Sequence, residues 1–253
     1  MCRMVMAAGD VQMDKLLDGA IHISKDPRKL LPKLLKRKHY SMAHDDGWGI
    51  AYMKNGKWEI YKSTLPIFTD PKVKKFKTLK TNAVIVHTRF KTKGERAKFN
   101  THPFHVTDPK LGSLVFCHNG TINQEIIHAK RFEKKGTTDS EQLFYAILTE
   151  ILSGQTVTNA IRKQANRYRE SHGSNIILSS RATSYISCNY SRYPEYMQMA
   201  LTKENGMTVV SSEPLPLAKN WKKLKNGDIA VLNHNTARVS IKKRRSLLPA
   251  KSS

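Results

Sequence analysis

Short runs of β-branched and alternating apolar residues recur along almost the whole chain. They lie at 3–6, 49–53, 58–61, 83–87, 114–118, 175–178, 183–188, 207–210 and 228–232. Many are bounded by turn-forming residues, the pattern of short strands in antiparallel sheet. Lys54-Asn55-Gly56-Lys57 separates two of them, and Asn-Gly is the dipeptide that a two-residue hairpin turn selects. Helical periodicity is rarer. Over 138–152, Leu143, Phe144, Ile147, Leu148 and Ile151 fall on one face. A second, basic helix is expected over 158–169, beyond a break at Gly154, and an amphipathic stretch over 29–36 is interrupted by Pro32. Many strands and few helices predict an α+β domain with helices packed on antiparallel sheet. A chain of 253 residues can bury a sizeable core without staples. No repeat or linker divides it, so one domain is expected over 2–241, followed by a loose basic tail over 242–253.

Three cysteines, Cys2, Cys117 and Cys188, stand far apart with no C-x-x-C pair. That argues against a disulfide framework or a structural zinc site and fits a reduced, cytoplasmic setting. No apolar run approaches the ~20 residues needed to span a bilayer, and the first ten residues lack a signal-peptide layout. The net charge of +24 comes from 44 Lys+Arg against 20 Asp+Glu. The basic stretches at 33–40, 71–80 and 241–245 are scattered and hold only Tyr40 and Phe76 between them, short of the interleaved aromatics that a base-stacking surface requires. Nucleic acid is therefore a disfavoured partner, and a solvated surface or an acidic protein partner suits the charge better.

Four pieces could carry chemistry. Removal of Met1 would leave a thiol and a free α-amine on Cys2, and the amine, with a reference pKa near ~7.7–8.0, can accept the thiol proton. Arg89, just after the apolar strand at 83–87, can grip a carboxylate with two charge-assisted bonds. Taken alone, it reads first as a surface arginine ending a strand. Asn119-Gly120 reads first as a hairpin turn, yet the Asn119 amide and the Gly120 N–H could together hold an oxyanion. A glycine there would also let substrate approach the backbone closely. Thr138-Asp139-Ser140-Glu141 matches a helix-capping box, in which Asp139 remains free to meet an ammonium group. His102, His105, Cys117 and His118 match no zinc spacing, and strand alternation would point Cys117 and His118 to opposite faces. No metal or cofactor is expected. Trp48 is expected in the core or in a pocket wall.

The order Cys2, then His87-Thr88-Arg89-Phe90-Lys91-Thr92-Lys93-Gly94, then His118-Asn119-Gly120, then Thr138-Asp139-Ser140-Glu141 resembles the class-II, or N-terminal-nucleophile, glutamine amidotransferases. Met1-Cys2-Arg3, Asp46-Gly47-Trp48-Gly49-Ile50-Ala51, Asn100-Thr101-His102-Pro103-Phe104 and Ser212-Glu213-Pro214-Leu215 resemble the stand-alone group of that class. That group includes bacterial amidotransferases and γ-glutamyl hydrolases of glutathione breakdown and ergothioneine synthesis. The resemblance implies a four-layer αββα fold with two antiparallel sheets. It implies that Cys2 forms a γ-glutamyl thioester, that Asn119 and Gly120 hold the oxyanion, that Arg89 binds the substrate carboxylate and that Asp139 binds its ammonium. Phe90, Thr92, Gly94 and His102 would line the substrate pocket. Two departures bear on the pocket's shape: Lys93 stands where synthase-type members often carry His, and residues 95–99 are inserted before Asn100.

Free glutamine offers a carboxylate, an ammonium and an amide, and these residues supply a partner for each. The expected function is thus glutamine amide hydrolysis releasing glutamate and ammonia. A γ-glutamyl peptide or amide hydrolase of the same mechanism is the alternative substrate reading, and a non-catalytic basic binding module is the alternative of another class. The chain is too short to contain a synthase domain as well, so ammonia would leave to solvent or to a separate acceptor protein.

Overall fold

A computed structural model describes residues 2–29, 33, 36, 42–168 and 173–244. In chain order the elements are β1 (Arg3–Gly9), α1 (Met13–Ser24), β2 (Trp48–Lys54), β3 (Lys57–Ser63), α2 (Val73–Phe76), β4 (Ala83–Thr88), β5 (Phe104–Asp108), β6 (Gly112–Gly120), α3 (Asp139–Leu152) and α4 (Val157–Arg167). They continue with β7 (Ser174–Ser179), β8 (Thr183–Ser187), α5 (Pro194–Met197), β9 (Ala200–Glu204), β10 (Met207–Ser211), β11 (Lys222–Lys223), β12 (Ile229–Asn233) and β13 (Val239–Lys242). Positions 30–32 and 34–35 of the helix expected over 29–36, and 245–253 of the expected tail, lie outside the described residues.

The strands form two antiparallel sheets, one ordered β11-β9-β10-β1-β4-β2-β3 and the other β13-β12-β8-β7-β6-β5. Alternation along each strand splits its side chains between two cores. Met4, Met6 and Ala8 of β1 meet Val115 and Cys117 of β6, Ile177 of β7 and Ile186 of β8 between the sheets. Val5 and Ala7, on the opposite face of β1, pack under Leu16, Leu17, Ala20 and Ile23 of α1. Phe116, Ile176 and Leu178 face outward from the second sheet, against Leu143, Phe144, Ile147 and Leu148 of α3 and Ile161 of α4. The result is the four-layer αββα order of helix, sheet, sheet, helices, confirming the expected fold class.

Each expected strand forms, most of them longer by a residue or more at one end or both. Asn55 and Gly56 both take positive φ, 51° and 70°, and close the β2–β3 hairpin with Lys54 opposite Lys57. Asn205 and Gly206 do the same between β9 and β10. Asn119-Gly120 does not turn. It ends β6, where Asn119 and Gly120 pair with Asn175 and Ser174 of β7. Trp48 is fully buried in the α1-side core and donates to Asp70 Oδ2 at 3.0 Å. No helix among the described residues is long and apolar enough to cross a membrane.

Phe116 is fully buried and stacks on Phe144, with ring centres 4.9 Å apart and planes 7° from parallel. Phe116→Ala should therefore destabilise the domain by about 3–5 kcal/mol, read from urea unfolding midpoints.

Candidate active site

The site forms where the first residue ahead of β1 meets the last two residues of β6. β1 lies between β10 and β4, with Arg3 opposite Thr88. That register sets Cys2 beside Arg89 and Phe90, which follow β4, and the Cys2 thiol lies 3.7 Å from the Phe90 carbonyl oxygen. Across the sandwich, the Cys2 nitrogen donates to Asn119 Oδ1 at 2.8 Å. Asn119 is fully buried, and its Nδ2 has no hydrogen-bond partner. A buried amide donor without a partner is costly, and it leaves Asn119 with hydrogen-bonding capacity to give.

Gly120 is required for a reason different from substrate access. A Cβ there would run into the Gly173 carbonyl oxygen and the His118 ring, so the glycine lets β7 come close. His118 and Cys117 point to opposite faces, as alternation predicts. Cys117 enters the inter-sheet core, while the His118 ring bonds Ser140 Oγ at 2.9 Å and Ser174 Oγ at 3.3 Å. His118 thereby ties the end of β6 to the start of α3.

Thr138 caps α3 by accepting from the Glu141 N–H. The reciprocal arm of the capping box is used differently: Glu141 accepts from the Lys135 and Gly136 N–H groups at 2.9 and 2.7 Å. Asp139, first residue of the helix, accepts from the Ile122 N–H at 2.5 Å, and this fixes its carboxylate beside the segment that follows Gly120.

The Arg89 guanidinium is 4% exposed for the residue and donates to the carbonyls of Lys93, Gly94 and Glu95. Part of its fork thus orders the loop that follows it. Gly94 sits at φ +71° in that loop, against Thr137 and Asn100. Thr92 meets Thr121 at 2.8 Å between hydroxyl oxygens, bridging the segments beyond β4 and β6. Lys93 Nζ donates to the Ile122 carbonyl, so the residue that departs from the synthase pattern is bound to the Asp139-anchored segment. His102 is buried, with its ring centre 4.2 Å from that of His87 and 4.6 Å from that of Phe104.

Residue-by-residue reasoning missed the supports. Asp46 Oδ2 accepts from the Lys91 N–H at 2.7 Å, and the Gly47 carbonyl accepts from the Arg89 N–H at 2.8 Å. Asn100 accepts from the Thr137 N–H and donates to Glu95, fixing both flanks of the Arg89 loop. Both sit in motifs that carried the family resemblance, and that was their only signal.

Burial pushes the Cys2 thiol above its ordinary pKa; the charge of the chain's terminal amine, the Phe90 carbonyl and then the Arg89 charge pull it back, and Asp139 adds to the rise. Burial also holds the Arg89 guanidinium below its usual value, opposed by the charges of Cys2 and Asp46. No group of three or more His, Cys, Asp or Glu among the described residues is arranged to hold a metal ion.

The same arrangement of chain recurs in known proteins. A family model for glutamine amidotransferases class-II matches residues 13–189. A protein of Escherichia coli (strain K12), YafJ, whose name carries a provisional glutamine amidotransferase assignment, is 26% identical over 246 residues, covering 85% of this chain and 96% of that one. The glutamine–fructose-6-phosphate aminotransferase of the same organism is 26% identical over 160 residues, and the match covers 61% of this chain and 25% of that protein. Among solved structures, a glutamine aminotransferase class-II domain protein from Silicibacter pomeroyi superposes with a TM-score of 0.63 at 17% identity, covering 96% of this chain and 99% of that one. The glutamine phosphoribosylpyrophosphate amidotransferase of B. subtilis superposes with a TM-score of 0.66 at 16% identity, over 96% of this chain and 49% of that one. These two likenesses are of fold.

Burial holds His118 at about 4, His87 at about 3 and His234 at about 4, all neutral in the folded state. The unfolded chain takes up these protons near pH ~6.5, so folding stability falls as pH drops from there toward the depressed values. Each such group contributes a slope of up to about 1.4 kcal/mol per pH unit within that window. Urea unfolding followed through mildly acidic pH should show this loss, and His118→Gln should reduce its slope by about one proton.

Proposed function

The chain belongs to the class-II glutamine amidotransferases, and on that premise we propose that it hydrolyses the side-chain amide of glutamine through a γ-glutamyl thioester on Cys2. The observation that carries the reading is the Cys2 nitrogen held on Asn119 Oδ1 at 2.8 Å while Asn119 Nδ2 lies buried and unpartnered.

Once Met1 is removed, that nitrogen is a primary amine on the same residue as the thiol. In its neutral form it takes the thiol proton, and Sγ attacks the amide carbon. The oxygen becomes an anion, which Asn119 Nδ2 and the Gly120 N–H receive. The ammonium formed on Cys2 returns its proton to the leaving nitrogen, ammonia departs, and the thioester remains. Water, deprotonated by the same amine, attacks the thioester and releases glutamate. Arg89 holds the substrate α-carboxylate and Asp139 its ammonium, while Phe90, Thr92, Gly94 and His102 shape the pocket. Because the donors pre-exist in a buried setting, they need no reorganisation when the charge develops.

Arg89 and Asp139 would grip only the glutamyl head, so γ-glutamyl peptides present the same handle. The +24 charge suits an acidic acceptor of ammonia, which co-purification would identify.

Mass measurement should find an active chain that begins at Cys2; activity with Met1 retained would remove the proposed base. Cys2→Ala should abolish ammonia release from glutamine while the melting temperature is kept. Asn119→Ala should lower kcat by about 10²–10³-fold with KM little changed, since it removes a donor used in the transition state. Assaying glutamine beside γ-glutamyl peptides assigns the substrate. Salt-dependent RNA binding with no turnover of either would show a non-catalytic binding module instead.

A further inference from the structure

Two stretches with no part in this chemistry, Arg3 and Ser212-Glu213, meet behind the nucleophile. Side chains alternate along β1: Met4 enters the inter-sheet core and Val5 the α1-side core. Arg3 shares the face of Val5, so its side chain leaves β1 on the side away from Met4. There it is 2% exposed, with Nε 3.5 Å from Glu213 Oε1 and its guanidinium carbon 4.1 Å from the Tyr196 ring centre. Glu213 Oε2 takes a second cation, Arg28, at 3.3 Å. The backbone is fixed at the same point. The Ser212 N–H donates to the Met4 carbonyl, and the Met4 N–H donates to Ser212 Oγ, both at 2.9 Å.

An ion pair buried like this is a poor device for stability, because desolvation offsets much of the attraction and apolar replacements are often neutral. This pair is not even hydrogen-bonded: Arg3 Nε and Nη1 and Glu213 Oε1 are all buried without a hydrogen-bond partner, so the contact is one of charge alone. What the pair does have is place. It is anchored one residue from Cys2, and Tyr196 feels the charges of Arg3, Asp26, Cys2 and Glu213 together.

We infer that Arg3 and Glu213 are positioning residues for Cys2: from behind β1 they fix the backbone at residue 3, and so hold the Cys2 nitrogen on Asn119 and the thiol against the Phe90 carbonyl. The inference rests on the reading of Cys2 as the nucleophile. The other charged or titratable groups around Cys2 are His87 on β4, Arg89 after it, Asp139 on α3, Cys117 on β6 and Tyr196 on α5. None of these changes in the variants below.

The test uses the full chain lacking Met1, with Arg3→Met, Glu213→Gln and the double variant, assayed for ammonia release from glutamine across pH. Each single variant should lose roughly 10- to 100-fold in kcat, the scale of a slight misplacement of a reacting group, with KM changing far less. The acid limb of the profile, where the amine becomes neutral, should move in opposite directions. Arg3→Met leaves Glu213 with Arg28 as its remaining cation and takes a positive charge from beside Cys2; this favours the ammonium and moves the limb to higher pH. Glu213→Gln leaves Arg3 and Arg28 with Asp26 as the opposing charge beside them, adds net positive charge near Cys2 and moves the limb to lower pH. The double variant should return the limb toward that of the unmodified chain. A purely structural pair would lower the melting temperature and leave kcat per folded molecule and both limbs in place, and that result overturns the inference. Should Arg3→Met fail to fold, the near-isosteric Glu213→Gln carries the test by its limb alone. An unmodified chain without Met1 that releases no ammonia overturns the nucleophile reading, and this inference with it. An active chain with indifferent variants overturns only this inference.

Discussion

A single hydrogen bond, from the Cys2 nitrogen to Asn119 Oδ1, joins the two sheets at the point where the chemistry is placed. Cys2 heads an inner strand of the seven-stranded sheet, and Asn119 stands next to last in an inner strand of the six-stranded one. Neither sheet could set this distance alone. It follows from the packing of Met4 and Met6 against Val115 and Cys117, and each sheet is backed by its own helical layer. With Oδ1 engaged, the amide plane of Asn119 is fixed and its Nδ2 is committed to one direction. Misalignment of the sandwich would therefore cost the site the Cys2–Asn119 contact and the orientation of Asn119 Nδ2 together.

Burial sets the electrostatic character of the same region. It raises the thiol of Cys2, lowers His87, His102 and His118, and weakens the hold of Arg89 on its proton. The histidines near the site are consequently uncharged and serve as rigid, polar packing. His118 shows this most plainly, with Ser140 on one ring nitrogen and Ser174 on the other. Arg89 is left as a fixed cation, and its bonds to three loop carbonyls keep it from collapsing onto the nearest carboxylate.

Much of this was legible in the sequence because the inner strands are strongly patterned. Runs such as Ala83-Val84-Ile85-Val86 and Asn175-Ile176-Ile177-Leu178 are apolar on both faces, as layers between helices and a second sheet require. The outer β3 was read, but the inner β9 and the outer β5, β11 and β13 were not. Phe104–Asp108 and Val239–Lys242 each pair on one side only, and their polar, partly exposed residues dilute the alternation. Helix α1 was missed although Met13, Leu16, Leu17, Ala20 and Ile23 keep helical spacing, because no side chain caps its start. The site divided in the same way. Asn119-Gly120 looks like Asn55-Gly56 and Asn205-Gly206, and only pairing with β7, some fifty residues on in the chain, makes it a strand end. The link between Arg3 and Glu213 spans almost the whole sequence, and no local pattern announces it.

The position of Cys2 also dictates how this protein can be handled. Its nitrogen lies inside the molecule, at the head of a strand flanked on both sides by β10 and β4. Under the proposed chemistry, an affinity tag, reporter or display anchor fused ahead of it would convert the amine into an amide and silence the enzyme. Such additions belong beyond β13, an outer strand of the other sheet. A circular permutation would, under the same chemistry, leave Cys2 inside the chain with no free amine to act as its base.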